Sequence, residues 1–385
     1  VRILVLKAYP PYPPQSGGQI RTYELLRCLS LRHKVTLGVL SDFPCPDLSP
    51  LEQYCEVRAF PRAEEDWEPS FPWPMRRQGS PALRGWLRDL PRDAFDVTMF
   101  EHVHMADFRV QAPGLLVLNE HNIESELFRQ SAELSRGPQR SFFQATWMQM
   151  RAYESKAWPD FALRSVCSEV DQQIMDQRCA VGRSIVVPNG VNLESGPLAV
   201  CAERRLLFMG TLSYFPNVDA VSFLVRDIMP RVWQSAPEVR LRVAGLDPSA
   251  GVRELARSDP RIELSDSPAN MRDQAADCRI SLVPLRSGSG TRLKILDSFA
   301  WGLPVITTSV GCQGLQVEDG DQLLIRDRAE DFAQAIVELL DQPQRAAALV
   351  SRGLALAERS YSWPSLFEVL ERETEQRLQE QVCPN

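Results

Sequence analysis

Short apolar, β-branched runs recur along this chain, each followed by a loop and then by a stretch whose apolar positions return every three or four residues. That alternation predicts strand–loop–helix units and an α/β architecture built on parallel sheets. Residues 1–6 (VRILVL) read as a buried parallel strand. A proline-rich loop follows and ends at Gly17 and Gly18. From Gln19 onward Ile20, Tyr23, Leu26 and Leu29 share one helix face, and VTLGVLS (35–41) is the next strand. Further strands are predicted at FDVTMFEH (95–102), GLLVLNEHN (114–122), RSVCS (164–168) and SIVVPNGVN (184–192). Helices are predicted over about 140–158, with Phe143, Trp147, Met150 and Tyr153 as a packing stripe, and over 169–178.

Pro188 and the Asn-Gly turn at 189–190 interrupt the pattern and mark a boundary. It restarts at RLLFMG (205–210), a strand and glycine loop before a helix, and continues through strands at 239–245, 261–266, 279–285, 303–309 and 321–327. The sequence closes with an amphipathic helix at 329–341, another at 344–359 and a last one from Trp363. Two α/β domains are expected, 1–188 and 189–360. The segment 61–91, rich in Pro, Trp and Arg, breaks the periodicity. It is read as a packed insertion in preference to a mobile loop that offers Trp67, Trp73, Arg76 and Arg77 to an acceptor or a lipid surface.

Composition supports this picture. A chain of 385 residues is long for one core. With 44% hydrophobic and 24% charged residues it is that of a soluble globular protein, and a net charge of −7 argues against a nucleic acid gripped by bulk charge. The nine cysteines are scattered and form no CxxC pair, which fits reduced thiols and a cytoplasmic location. The four histidines leave little material for a metal centre, and none is expected. No apolar run approaches the roughly 18 residues that span a bilayer. The opening run, followed by Lys7, reads as a strand and not a signal peptide. Peripheral contact with the inner face of a membrane stays open.

Candidate chemistry concentrates at 287–304, SGSGTRLKILDSFAWGLP. Gly288 and Gly290 flank Ser289 in a loop with room for close backbone approach. Thr291 stands where a helix N-cap is expected, and Leu293, Leu296, Phe299 and Ala300 give the helix an apolar face. A glycine loop opening a helix is an anion site. Lys294 adds a cation one turn in, and Asp297 a carboxylate that can accept hydroxyl hydrogens beyond the phosphates. In the first domain Gly17–Gly18 offers close approach or a plain turn. His102 and His121 stand at strand ends, where ligands bind in open α/β sheets, and His121 is favoured. Asp319-Gly320-Asp321 is formally a DxD metal motif but reads as a turn.

VVPNGVN together with GSGTRLKILDSFAWGLPVITTSVGCQGL resembles family 4 glycosyltransferases, the group 1 type with the GT-B fold. The resemblance implies two Rossmann-like domains facing a cleft, with the helix at 361–385 crossing back to the N-terminal, acceptor-side domain. It implies a hexosyltransferase-type enzyme that moves a sugar from an NDP-sugar, UDP-sugar first, to a hydroxyl of a glycan, lipid-linked or small-molecule acceptor. Anomeric configuration is retained, without a metal or other cofactor, and bacterial relatives commonly build cell-surface polysaccharide or glycoconjugates. Carried over, Asp297 aligns with the family's ribose-binding acid, and His121 with its cleft histidine. The family's other acid aligns with Ser289, and its arginine after the Gly210 glycine with Thr211; Asn217 stands where a lysine is common. Lys294, Arg292 and Arg286 are then the cations expected to meet the diphosphate, with Gly210, Thr211, Gly288, Ser289, Gly290, Thr291 and Asp297 around the donor. Gly17, Gly18 and His102 are expected on the acceptor side. A non-catalytic nucleotide-sugar-binding scaffold, for which Ser289 is the best support, and an epimerase of the same fold remain as alternatives.

Overall fold

The computed structural model describes the chain apart from residues 43, 69, 195, 200, 202, 289, 290 and 383–385 and the side chain at 382. Among the described residues the strands form two sheets, and every pairing in both is parallel. The first holds β1 (Arg2–Lys7), β2 (Lys34–Ser41), β3 (Glu56–Pro61), β4 (Val97–Glu101), β5 (Leu115–Asn119), β6 (Leu163–Val166) and β7 (Arg183–Val186). The second holds β8 (Arg205–Met209), β9 (Arg240–Gly245), β10 (Ile262–Asp266), β11 (Ile280–Val283), β12 (Val305–Thr307) and β13 (Leu324–Ile325). Parallel strands covered on both faces must be apolar along their length. Ile3, Leu4, Val5 and Leu6 of β1, and Leu206, Leu207 and Phe208 of β8, are accordingly buried.

The strand orders are β3-β2-β1-β4-β5-β6-β7 and β10-β9-β8-β11-β12-β13. Each sheet therefore grows outward from its first strand, returns, and grows the other way. The reversal lies between β1 and β4 in one sheet and between β8 and β11 in the other. Ligands in doubly wound sheets bind beyond the carboxyl ends of the strands at this point. In the first sheet Lys7 and Glu101 are register partners there.

Two compact units follow the sheets: residues 1–188 with the chain from Trp363 onward, and Asn189–Ser362. The helix Trp363–Val382 belongs with the first. Trp363, Phe367 and Leu370 are buried, the Trp363 and Phe367 rings stack 5.3 Å apart, and the guanidinium of Arg21 lies 5.6 Å over Phe367. Glu371 faces Arg32 at 3.2 Å and His33 at 3.6 Å.

Several elements differ from expectation. The edge strand β3 was not anticipated; its residues are mostly exposed, so it lacks the apolar signature of the central strands. The first helix starts at Gly17, two residues early, because Ser16 N–H donates to Gln19 Oε1 (3.0 Å) and closes the first turn. The helix Glu124–Leu134 was missed because its buried residues include Glu124, Ser125, Glu126 and Ser131. Glu154 accepts from Ser125 N (2.9 Å) and faces Arg178 at 3.3 Å, so this face is polar and paired. In the stripe on the helix Gly137–Ala157 only Met150 is fully buried. Much of the described part of the 61–91 segment is packed: Trp67 stacks on Phe71 at 4.3 Å, and Arg84 bridges Glu65 and Asp107, while Trp73 is exposed. Asp319–Asp321 forms a turn in which Gly320 (φ 80°) donates to Leu323 O, and Asp319 is held by Arg326. No helix is long and apolar enough to cross a membrane among the described residues.

Truncating Phe367 to alanine removes a buried ring and the aromatic face under Arg21. We expect Phe367→Ala to cost about 3–5 kcal/mol, read as a lower urea midpoint at unchanged slope.

Candidate functional site

The second unit places its chemistry at the β8–β11 switch. Gly210 follows β8, and its N–H is used by Ala244 O at 3.1 Å. What the glycine supplies is space. A Cβ there would lie 2.8 Å from Asn217 Nδ2 and 2.9 Å from Lys294 Nζ. Gly245, at the end of β9, is tighter still, since a Cβ on it would stand 1.7 Å from Gly210 O. The buried Asn217 donates from Nδ2 to Thr211 O (2.9 Å) and accepts from Lys294 Nζ at Oδ1 (2.8 Å). The ammonium also lies 4.7 Å over the Phe208 ring. Asn217, expected only as the absence of a lysine, is the residue that positions Lys294. Burial, and then Arg292, push Lys294 down to about 7.

The anion-loop side differs from expectation in three respects. The helix runs Leu293–Ala300 with Arg292, not Thr291, at the N-cap position. Thr291 Oγ1 instead accepts from Asn189 N (2.7 Å), and Thr291 O accepts from Asn189 Nδ2 (2.8 Å). The Asn-Gly turn after β7 thus anchors the loop. Arg286 is gripped by Asp219 through Nε (2.9 Å) and Nη2 (2.5 Å) and lies 4.7 Å over Phe223, so its charge is already matched. Arg292 lies across Gly288, where a Cβ would be 2.7 Å from Nη2 and φ is 129°. Ser289 and Gly290 lie outside the described residues. Asp297 is half-buried on the helix, and burial raises its carboxyl to about 7.

In the first unit β1 and β4 carry a buried Lys7 and Glu101 to their carboxyl ends. Glu101 accepts from Thr22 Oγ1 (2.8 Å) and Asn119 Nδ2 (2.7 Å) and lies 3.0 Å from His121 Nε2. Burial opposes its ionisation, but His121, Lys7 and Asn119 outweigh that and hold it at about 2. Burial and Lys7 keep His121 far below its ordinary value, hence neutral. Its proton therefore belongs on Nε2, facing the carboxylate, and Nδ1 is left as an acceptor. That nitrogen stands 3.2 Å from where a Gly18 Cβ would be, and Tyr9 Oη is nearer still at 2.1 Å. Gly17 and Gly18 are the first residues of a helix and not a loop. The structure thus brings Gly18 and His121 together, with Glu101 behind the histidine. Lys7 Nζ is buried 4.5 Å over the Tyr9 ring, and burial, partly offset by Glu101, lowers it to about 7. In the sequence Lys7 ends an apolar run, and a lysine closing a buried parallel strand is the signal that marks it. His102 packs edge-on to His121 at 5.4 Å.

Residues 203–342 match the family model described as Glycosyl transferases group 1. The chain is 34% identical over 233 residues to a D-inositol 3-phosphate glycosyltransferase of Rhodococcus jostii (strain RHA1), covering 53% of this chain and 50% of that one. The matches span 40–50% of the length of the curated relatives. Among solved structures, Anabaena Alr3699/HepE in complex with UDP and glucose superposes with a TM-score of 0.71 at 14% identity, over 97% of this chain and 99% of that one. Sucrose-phosphate synthase from Thermosynechococcus elongatus gives 0.73 at 15%, over 98% and 99%. At such identities the likeness is one of fold, and the fold is GT-B.

Two outcomes follow from this geometry. Gly245→Ala should displace the Gly210 loop from Lys294, seen as loss of the Lys294 side-chain environment by amine-selective labelling of the folded protein. The second concerns pH. Lys294 gives up its proton near pH 7 folded and near 10.5 unfolded, so between these values the unfolded chain binds more protons and stability rises with pH. Asp297 keeps its proton to about 7 folded against 3.8 unfolded, so its contribution falls as pH rises from 4 to 7. Relative to wild type, Lys294→Met should make the slope of urea midpoint against pH more negative between about 7 and 10.5, and Asp297→Asn should make it more positive between about 4 and 7.

Proposed function

We propose that the protein is a retaining glycosyltransferase, of the family 4 type, that moves a sugar from a nucleoside-diphosphate sugar to an acceptor hydroxyl. The observation that carries this reading is Lys294, fixed by Asn217 beside Gly210, where a side chain would close the space. As the donor's C1–O bond breaks, charge accumulates on the leaving diphosphate. A cation already desolvated and oriented stabilises that charge with little reorganisation. Arg292 adds a second positive group from the helix N-terminus. Asp297, one turn beyond Lys294, suits the ribose hydroxyls. Protein cations then meet the diphosphate without a metal ion, and a UDP-sugar is the first donor to test.

The acceptor oxygen attacks C1 on the face the diphosphate leaves, a new C1–O bond forms, and the acceptor's proton passes to the departing phosphate oxygen. No protein nucleophile is needed. His121 donates to Glu101 and offers Nδ1 to a sugar or acceptor hydroxyl. A role in cell-surface polysaccharide or glycoconjugate assembly, on the cytoplasmic side and in peripheral contact with a membrane, fits the resemblance that the sequence carries.

A panel of UDP-, GDP-, ADP- and dTDP-sugars tests the proposal by thermal shift and by donor turnover. Lys294→Ala should lower turnover at least about 100-fold with an unchanged circular dichroism spectrum; undiminished turnover would sink the assignment. Binding without turnover by the wild-type chain would identify a nucleotide-sugar-binding scaffold instead. Diphosphate binding should also re-protonate Lys294. At pH 8, where Asp297 is already ionised, calorimetry in buffers of different ionisation enthalpy should show uptake approaching one proton, and Lys294→Met should abolish it.

A further inference from the structure

Of the four histidines, all in the first unit, three gather beyond the carboxyl ends of β4 and β5. Four histidines in 385 residues leave little material for a metal centre, but two of them meet at one carboxylate. His102 follows β4 with φ at 81°, a conformation a β-carbon disfavours. Its N–H is tied to Asn119 O at 2.9 Å. His104 stands two residues on, its ring stacked on that of His102 at 4.5 Å and 18°. Glu124 opens the helix Glu124–Leu134. His102 Nε2 is 3.3 Å and His104 Nε2 3.9 Å from the same carboxylate oxygen, Glu124 Oε1, and the three donor atoms lie within 4.8 Å of one another.

These separations resemble the edges of a coordination polyhedron. Ligands about 2.0–2.2 Å from a tetrahedral ion stand roughly 3.3–3.6 Å apart, so the His102–Glu124 edge is in place, and the His104 ring has to rotate out of its stack on His102 for its in-plane lone pair to reach the same ion. An ion pair between His102 and Glu124 would account for one imidazole but not for the second, whose Nε2 lies 3.9 Å from the same oxygen. The surroundings fit as well. His102 Nδ1 is buried 3.5 Å from Glu120 Oε2 without a hydrogen bond. Glu120 is itself fixed by Trp158 Nε1 (3.0 Å) and Val103 N (2.9 Å). An ion on Nε2 places the ring proton on Nδ1, facing Glu120, which is the carboxylate–histidine–metal relay that orients ligating histidines. Asn122 Nδ2 donates to Glu124 Oε1 at 2.9 Å and steadies the third ligand.

We propose that His102, His104 and Glu124 form a binding site for one divalent transition-metal ion, with Glu120 orienting His102. Two imidazoles and one carboxylate suit zinc or cobalt better than magnesium or calcium. Three protein ligands leave a position for water or a substrate oxygen, and His104, one-fifth exposed, marks the open side. The site uses none of Lys294, Arg292 and Asp297, so it stands or falls apart from sugar transfer.

The test uses the full chain without a histidine tag, stripped with chelator. Zinc is titrated by calorimetry and cobalt by visible absorption. One equivalent should bind, and the cobalt form should show ligand-field bands without a near-ultraviolet thiolate band. Glu124→Gln and His104→Gln should lose binding, and Glu120→Gln should weaken it about 10–100-fold, while His33→Ala leaves it unchanged. Metal-free circular dichroism and thermal midpoints establish that the variants fold, and the wild-type spectrum decides the matter if they do not. Absence of a stoichiometric equivalent, a thiolate band, or unchanged binding in folded Glu124→Gln and His104→Gln overturns the proposal.

Discussion

Charge taken out of water at the carboxyl ends of central parallel strands is the constraint around which both units are arranged. An ionisable group in such a place is held only if neighbours repay its lost hydration. In the first unit Glu101 does so with Thr22, Asn119 and His121, drawn from three different elements. In the second, Lys294 has a neutral partner, the Asn217 carbonyl, and an aromatic face, Phe208. The two solutions have different chemistry. A carboxylate surrounded by donors stays charged and fixes a histidine tautomer. A lysine with one neutral acceptor sits near neutrality and gains most from an arriving anion.

The contrast explains what could be read from the residues alone. Strands buried on both faces are mostly apolar, so β1, β2, β4, β5, β8, β9 and β11 stand out, and with them the α/β class. The helix Glu124–Leu134 did not, because its inner face is satisfied by ion pairs and hydrogen bonds instead of apolar contact. β3 lies at a sheet edge, where the alternation that marks a covered strand is lost.

For the site, local spacing singled out Gly210, Lys294 and Asp297, since a glycine loop and a helical three-residue spacing are visible without a partner. Roles set by distant residues were not. Thr291 has the composition of a helix cap, yet its hydroxyl is claimed by Asn189, 102 positions away. Arg286 looked like a phosphate cation and is matched by Asp219. Asn217 looked like a missing charge and is what orients the charge present. His104 and Glu124 lie on either side of a strand and a loop, and nothing in their separation along the chain announces that they converge on His102.

The helix Trp363–Val382 has a consequence for how the protein comes into being. The first unit is assembled from two stretches that flank the second along the chain, with Trp363, Phe367 and Leu370 among its buried residues. During synthesis, which proceeds from the N-terminus, the second unit is complete once Ser362 has emerged, while the first still lacks a helix of its own core. Of the two units, the one begun first is thus the later to close, and the surface that Trp363, Phe367 and Leu370 cover stays open while the residues in between are made.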